Sequence, residues 1–124
     1  MIFGIGNDII EVARVKKALE RDNGFREKIF SPREIELCES KSNKYQSYAA
    51  RFAAKEAFMK ALKTGWAEGI TWNEIEVLNS ESGAPYLNLL NETQKFIGKH
   101  NIKHLHISLS HLKEYAMAEV ILEI

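Results

Sequence analysis

From Tyr45 to about Lys63 the chain reads as one long helix with no clean polar face. At about 100° per residue, Phe58 and Leu62 fall on one side, while Ala49, Ala53, Glu56 and Lys60 share another. A helix apolar on several sides is normally packed on several sides, so a short chain has to be built around it. Among the charges on this helix are Arg51, Lys55, Glu56 and Lys60. Carried on a packed helix, they belong in a cleft or at a subunit interface. The bland alternative is that Glu56 and Lys60 form a plain i,i+4 ion pair worth about 0.2–0.5 kcal/mol, and spacing does not choose between the two.

The flanking segments read as an α+β arrangement. Ile2, Phe3 and Ile5, then Ile9 and Ile10, form a short apolar run broken by Gly4 and Gly6, which predicts a buried strand with Asp8 at its end. A helix is expected from about Glu11 to Arg21. Its apolar positions Val12, Val15, Ala18 and Leu19 leave Arg14, Lys17 and Arg21 on another face, which is basic. Ser31-Pro32-Arg33-Glu34 has the form of a capping box with proline at the first helical position, opening a short helix to about Glu39. The polar stretch 40–44 precedes the long helix, which Gly65 is expected to stop. Trp72 to Leu78 alternates as a half-buried strand, and residues 80–85 turn the chain into Tyr86–Leu89. A helix over 91–100 follows, then strands His104–Leu109 and Tyr115–Ile124 around a turn near His111–Glu114. The expectation is an antiparallel sheet packed against a long central helix. With 124 residues and 45% hydrophobic content, the chain can bury roughly two thirds of its unfolded surface, so residues 1–124 are expected to form a single domain.

Composition removes several function classes. Cys38 is the only cysteine, so neither an internal disulfide nor a paired-cysteine zinc site is available. The N-terminal MIFGIGNDII has no basic region and meets Asp8 early, unlike a secretory signal or a membrane span, so a soluble, cytoplasmic protein is expected. The net charge is zero. It is unevenly spread: residues 1–63 hold 13 Lys/Arg against 9 Asp/Glu, and residues 64–124 hold 4 against 8. That asymmetry can steer an acidic partner to one face, although a solvated helix surface explains it equally well. A dedicated nucleic-acid binder is usually basic overall. His104 and His106 share one strand face but lack a third zinc ligand. Ser108, Ser110 and His111 lie near one another without a Gly-x-Ser-x-Gly elbow, so a hydrolase is not supported.

Asp8 supplies the context for the helix charges. It follows glycines that let backbone come close to a ligand. Two carboxylates from different elements, Asp8 and Glu56, with lysine and arginine beside them, are what a Mg²⁺–diphosphate site requires, because phosphate oxygens and waters complete the octahedron. Alone, Asp8 could simply cap the next helix. A dinucleotide fingerprint fails, since the third glycine position counted from Gly4 is Ile9.

The segments GIGNDIIEVARV, FREKIFSPREIELC and RFAAKEAFMKAL, the Gly83-Ala84-Pro85 turn and the closing HISLSHLKEYAMAEVIL together resemble, in order and spacing, the holo-acyl-carrier-protein synthases. These are the short, trimeric type of the 4′-phosphopantetheinyl transferase superfamily, and the resemblance covers nearly the whole chain. It implies transfer of the 4′-phosphopantetheine arm of coenzyme A to a serine of apo-acyl carrier protein, a step of fatty acid and lipid biosynthesis. By the same resemblance Asp8 and Glu56 match Mg²⁺ ligands, and Lys60 matches the lysine beside the metal and diphosphate. Arg51, Gly65, Gly83, Pro85 and His106 fall on segments lining the coenzyme A cleft, with Arg51 and His106 near the 3′-phosphate and the Gly83–Pro85 turn near the adenine. Arg14, Arg21, Phe25 and Lys28 fall on the segments that receive the acidic carrier protein. The resemblance also implies a homotrimer with clefts between neighbours, and the multiply apolar helix agrees with that. Asn7 departs from the small or apolar residue usual before the Asp. The competing reading is a noncatalytic module that binds an acidic protein through the basic first helix, which gives Asp8 and Glu56 nothing to do.

Overall fold

The computed structural model describes residues 1–21, 23–63 and 70–124. Strand β1 (Ile2–Glu11) is followed by helices α1 (Val12–Glu20), α2 (Phe25–Ile29), α3 (Pro32–Glu39) and α4 (Lys44–Ala61). A 3₁₀ turn (Trp72–Glu74) leads into the hairpin β2 (Ile75–Asn79) and β3 (Pro85–Leu89), then α5 (Asn91–Lys99), β4 (His104–His111) and β5 (Tyr115–Glu123). β1, β5 and β4 form an antiparallel sheet in that order, and β2–β3 form a second, two-stranded one. The α+β expectation holds.

Helix α4 lies on the three-stranded sheet and also meets α1, α3 and β2. Its alanines 49, 53, 54, 57 and 61 are fully buried, which lets backbone approach from several sides. The approach is closest at β1. A Cβ on Gly6 would sit 1.9 Å from the Ala57 carbonyl oxygen, and one on Gly4 would sit 1.9 Å from that of Ala61. Only glycine permits that contact. The many-sided apolar character of α4 is therefore consumed within one chain and gives no support to subunit packing. The uncovered apolar surface lies elsewhere, on the outer face of the sheet, where Ile5, Ile9, Tyr115 and Met117 are exposed.

Several boundaries moved. β1 runs through Asp8 to Glu11 because β5 continues opposite it, pairing Asp8 with Ala118 and Glu11 with Tyr115. Asp8 is thus an interior strand residue, and Glu11 occupies the N-cap of α1. β2 begins at Ile75, since the chain first makes the 3₁₀ turn at Trp72. Its alternation does not separate core from solvent, because Glu76 is as buried as its neighbours. Helix α2 was not expected at all. The capping box at Ser31 is present: its Oγ accepts from Glu34 N at 3.2 Å, and Glu34 Oε1 accepts from Ser31 N at 3.0 Å.

That same Glu34 is also a core ion-pair partner. Lys55, completely buried, donates to Glu34 Oε1 at 2.7 Å and to the carbonyl oxygens of Trp72 and Ile75. Glu34 Oε2 accepts from Val77 N at 3.0 Å, while the buried Glu76 accepts from Ser31 Oγ at 2.6 Å and Asn88 Nδ2 at 2.8 Å. Lys55 therefore ties α3, α4 and β2 together and faces neither a cleft nor an interface. Burial pulls its proton affinity down, and the Glu34 charge opposes that.

Candidate active site

The glycine approach of β1 to α4 sets the site. Gly6 fixes the strand against Ala57, the residue after Glu56, and Asp8 lies two residues further along on the same strand face. Both carboxylates consequently line one cavity of about 400 Å³, together with Arg14 and Val15 of α1, Phe25 of α2 and Phe52 of α4. Lys60, one turn after Glu56, donates from Nζ to the Asn7 carbonyl at 2.9 Å and to Asp8 Oδ1 at 3.2 Å. Only the backbone of Asn7 takes part in that bond, so its unusual side chain leaves it intact.

The electrostatics are unbalanced. Burial first, and the Asp8 charge second, raise the pKa of Glu56 above the ordinary carboxylate value, and Lys60 only partly opposes them. Lys60 is itself more than half exposed at 54%, so solvent screens its charge. Two oxygen ligands that repel each other at a half-open cavity form a donor set suited to a small hard cation. No described group of three or more His, Cys, Asp or Glu side chains gathers in one place. A metal at Asp8 and Glu56 would take its remaining ligands from water or from a bound phosphate, which fits Mg²⁺.

The other residues fall into separate groups. Arg51, Gly83 and Pro85 line a second cavity of about 230 Å³ with Lys41 and His111. Arg51 is only 3% exposed. Its Nε donates to the Val77 carbonyl at 3.0 Å, one terminal nitrogen to Ser47 Oγ at 2.9 Å, and the other to Asn79 Oδ1 at 3.3 Å. Gly83 turns the β2–β3 hairpin at a φ of 89°, where a side chain would be strained. His106 is not in this group. It points from β4 to the outer sheet face, meets Glu123 through Nε2, and lines a different cavity with Ser108 and Glu119. Gly65 lies outside the described residues. Arg14 and Phe25 join Asp8 and Glu56 at the first cavity, while Arg21 and Lys28 are exposed at the end of α1 and on α2.

Among the lining residues that the sequence did not single out are Phe52 and His111. Phe52 sits one helical turn before Glu56, so i,i+4 spacing would have placed it on the same face; it stacks between Phe25, at 6.2 Å, and Trp72, at 5.3 Å. His111, weighed only as a neighbour of Ser110, shares strand parity with Leu109, and both face the Arg51 cavity.

The family model of the 4′-phosphopantetheinyl transferase superfamily matches residues 4–120. The chain belongs to that superfamily. It is 46% identical over 123 residues to a holo-[acyl-carrier-protein] synthase of Cytophaga hutchinsonii, covering 98% of this chain and 97% of that one. A holo-[acyl-carrier-protein] synthase of Solibacter usitatus is 44% identical over 124 residues, 99% of each chain. Among solved structures, the holo-[acyl-carrier-protein] synthase of Neisseria meningitidis superposes with a TM-score of 0.92 at 28% identity over the whole of both chains. That of Helicobacter pylori, solved in complex with coenzyme A, superposes with a TM-score of 0.83 at 36% identity, over 96% of this chain and 99% of that one. This superfamily membership carries the α+β fold and the antiparallel sheet with it.

Proposed function

We propose that this protein transfers the 4′-phosphopantetheine arm of coenzyme A to a serine of apo-acyl carrier protein, yielding holo-acyl carrier protein and adenosine 3′,5′-bisphosphate. The observation that carries this reading is the first cavity, where Asp8 and Glu56 meet Arg14 and Phe25. A diphosphate site and a surface for an acidic partner thus open into one space, as transfer between two substrates demands. The near-full-length relatives called holo-[acyl-carrier-protein] synthases support it.

In this reading the serine oxygen attacks the β-phosphorus of coenzyme A, a new O–P bond forms, and the P–O bond to the bisphosphate breaks. Mg²⁺ bound at Asp8 and Glu56 would supply positive charge to the diphosphate. The Lys60 ammonium, already fixed by Asn7 and Asp8, balances charge that grows on the leaving group. Positioning and electrostatics then dominate the rate. The proton released by the serine hydroxyl needs an acceptor at the cavity, and Glu56, alongside its metal role, is one carboxylate within it. Arg14, Arg21 and Lys28 receive the acidic face of the carrier, with Phe25 as apolar anchor, and that attraction weakens as salt shortens the screening length to about 8–10 Å.

The coenzyme A cleft needs more than one copy. Arg51 and Glu56 are five residues apart on α4, about 140° around the helix, and they open into different cavities. A neighbouring chain laid on the uncovered sheet face can bring its Arg51–Gly83–Pro85 cavity, with His111, beside the Asp8–Glu56 cavity. A homotrimer built this way has three identical clefts, and His106 on the outer face would lie at such a junction. No helix among the described residues is long and apolar enough to cross a membrane.

The test is intact-mass analysis of apo-acyl carrier protein incubated with coenzyme A, with and without Mg²⁺, using wild type beside Asp8→Ala. A Mg²⁺-dependent gain of one phosphopantetheine, absent with the variant, is expected. Folded wild type that modifies no carrier would favour the noncatalytic binding module.

A further inference from the structure

Helix α2 is one turn of five residues, too short to hold its own shape or direction. Its direction matters on the functional reading above, because it carries Phe25 and Lys28. Tertiary contacts must therefore aim it. Ile29 and Phe30 are buried, Phe25 stacks on Phe52, and Asn73 Nδ2 donates to the Glu27 carbonyl at 3.3 Å. Phe25 and Ile29 thus anchor the two ends of the turn, and Asn73 holds the carbonyl at its centre.

The side of α2 that carries Arg26 is held by charge. Arg26 Nε lies 3.8 Å from Glu39 Oε2 on α3, and its guanidinium sits 5.8 Å from the centre of the Tyr48 ring. Arg26 Nε is shielded from solvent and hydrogen-bonds to nothing, so the ion pair with Glu39 and the Tyr48 ring are what locate this side of the group. Glu39, in contrast, is rigidly placed. Tyr48 Oη donates to its Oε2 at 2.7 Å and Lys44 Nζ to its Oε1 at 3.2 Å, both from α4. Tyr48 is fully buried, with its ring edge-on to Phe30 at 4.8 Å. The Tyr48 hydrogen bond, foremost, keeps the Glu39 pKa below the ordinary value, and burial raises that of Tyr48, so near neutral pH the acceptor is charged and the donor keeps its proton.

We propose that Glu39 is a positioning residue for the carrier protein: fixed by Tyr48 and Lys44, it holds Arg26 and thereby sets the angle at which α2 presents Phe25 and Lys28. Glu39 lines neither the Asp8–Glu56 cavity nor the Arg51 cavity, so it touches neither substrate and acts only through α2. This rests on the reading that α1 and α2 receive the carrier.

Steady-state transfer kinetics with each substrate varied in turn, together with amide exchange at Lys28 and Phe30, test it. These two amides donate to the carbonyls of Gly24 and Arg26 and report directly on the α2 turn. Two variants are compared, Glu39→Gln and Arg26→Gln, the second leaving the Tyr48 and Lys44 bonds to Glu39 in place. In both, the KM for apo-acyl carrier protein should rise about two- to fivefold, toward the upper end for a part-exposed ion pair. The KM for coenzyme A and kcat should change less than the carrier KM, because α2 reaches the Asp8–Glu56 cavity through Phe25 alone; exchange at Lys28 and Phe30 should quicken, and Glu39→Asp should recover most of the carrier KM. An unmoved carrier KM, unchanged exchange, or an equal loss toward both substrates would overturn the proposal. Wild type that transfers nothing sinks the functional reading instead, whereas active wild type beside variants with normal carrier KM sinks only this inference.

Discussion

Lys55 and Glu56 are consecutive on α4, and the two charge clusters they belong to are opposites. Around Lys55 every charge is answered inside the chain: three acceptors surround its ammonium, and Glu34 and Glu76 each accept from several donors. Around Glu56 the account is left open, because two carboxylates meet at a cavity whose cationic neighbours, Arg14 on its wall and Lys60 beside Asp8, are both exposed to solvent. A closed network holds a fold together, while an open one has binding capacity left over. Burial alone would have ranked Lys55 above Glu56 as the special residue. The direction of imbalance separates them, since the first cluster has nothing to gain from a ligand and the second has a cation to gain.

This contrast can be broken most forcefully at Lys55. Lys55→Met leaves Glu34 charged and unpaired in the core, and chemical denaturation should show a loss of about 3–5 kcal/mol. Adding Glu34→Gln should recover part of it; if the single variant is as stable as wild type, the network does not hold α3 to α4. Next in size, Glu56→Gln and Asp8→Asn should each cut transfer at least about 100-fold, the scale of lost electrostatic stabilisation, with unchanged circular dichroism. Gly6→Ala comes third. Its Cβ meets the Ala57 carbonyl, so β1 must shift from α4 at a cost of about 1–3 kcal/mol, and transfer should fall with it because Asp8 moves from Glu56. An active, stable Gly6→Ala would show that the close approach does not set the site.

The smallest effect is on pH and stability. Because the folded-state pKa of Glu56 is raised, the folded protein keeps a proton that the unfolded chain has released, and metal-free stability drops as pH rises from the ordinary carboxylate value through the raised one. Glu56→Gln should flatten that slope and gain about 0.5 kcal/mol or less at neutral pH, given solvent screening at a half-exposed group. Melting curves across pH 4–7 without divalent cations would show it, and a variant that melts lower than wild type would contradict the imbalance.

Much of this was legible in the sequence where one local rule decides the outcome. The Ser31 capping box, the long helix and the terminal strands follow from spacing and turn residues, and Asp8 with Glu56 followed from glycines near an acid and a charged, packed helix. Other features depend on partners distant in sequence. Lys55 differs from Glu56 by one helical step, and only the position of Glu34 on α3 shows which of the two turns inward. Helix α2 is too short to carry a period, so nothing in residues 25–29 announces it. His106 and His111 look alike in the sequence, yet an odd separation along β4 sends them to opposite faces. The Arg51 group and the Asp8 group sit on one helix but open into different cavities, a separation that depends on which elements cover each side of α4.

Side-by-side measurement of transfer rate per folded molecule for Lys55→Met and Glu56→Gln, at a temperature where both remain folded, tests the central contrast most directly. The account predicts that Lys55→Met, though less stable, retains most of the wild-type rate, while Glu56→Gln is well folded and nearly inactive. A folded Lys55→Met without activity, or a Glu56→Gln that transfers at the wild-type rate, would contradict it.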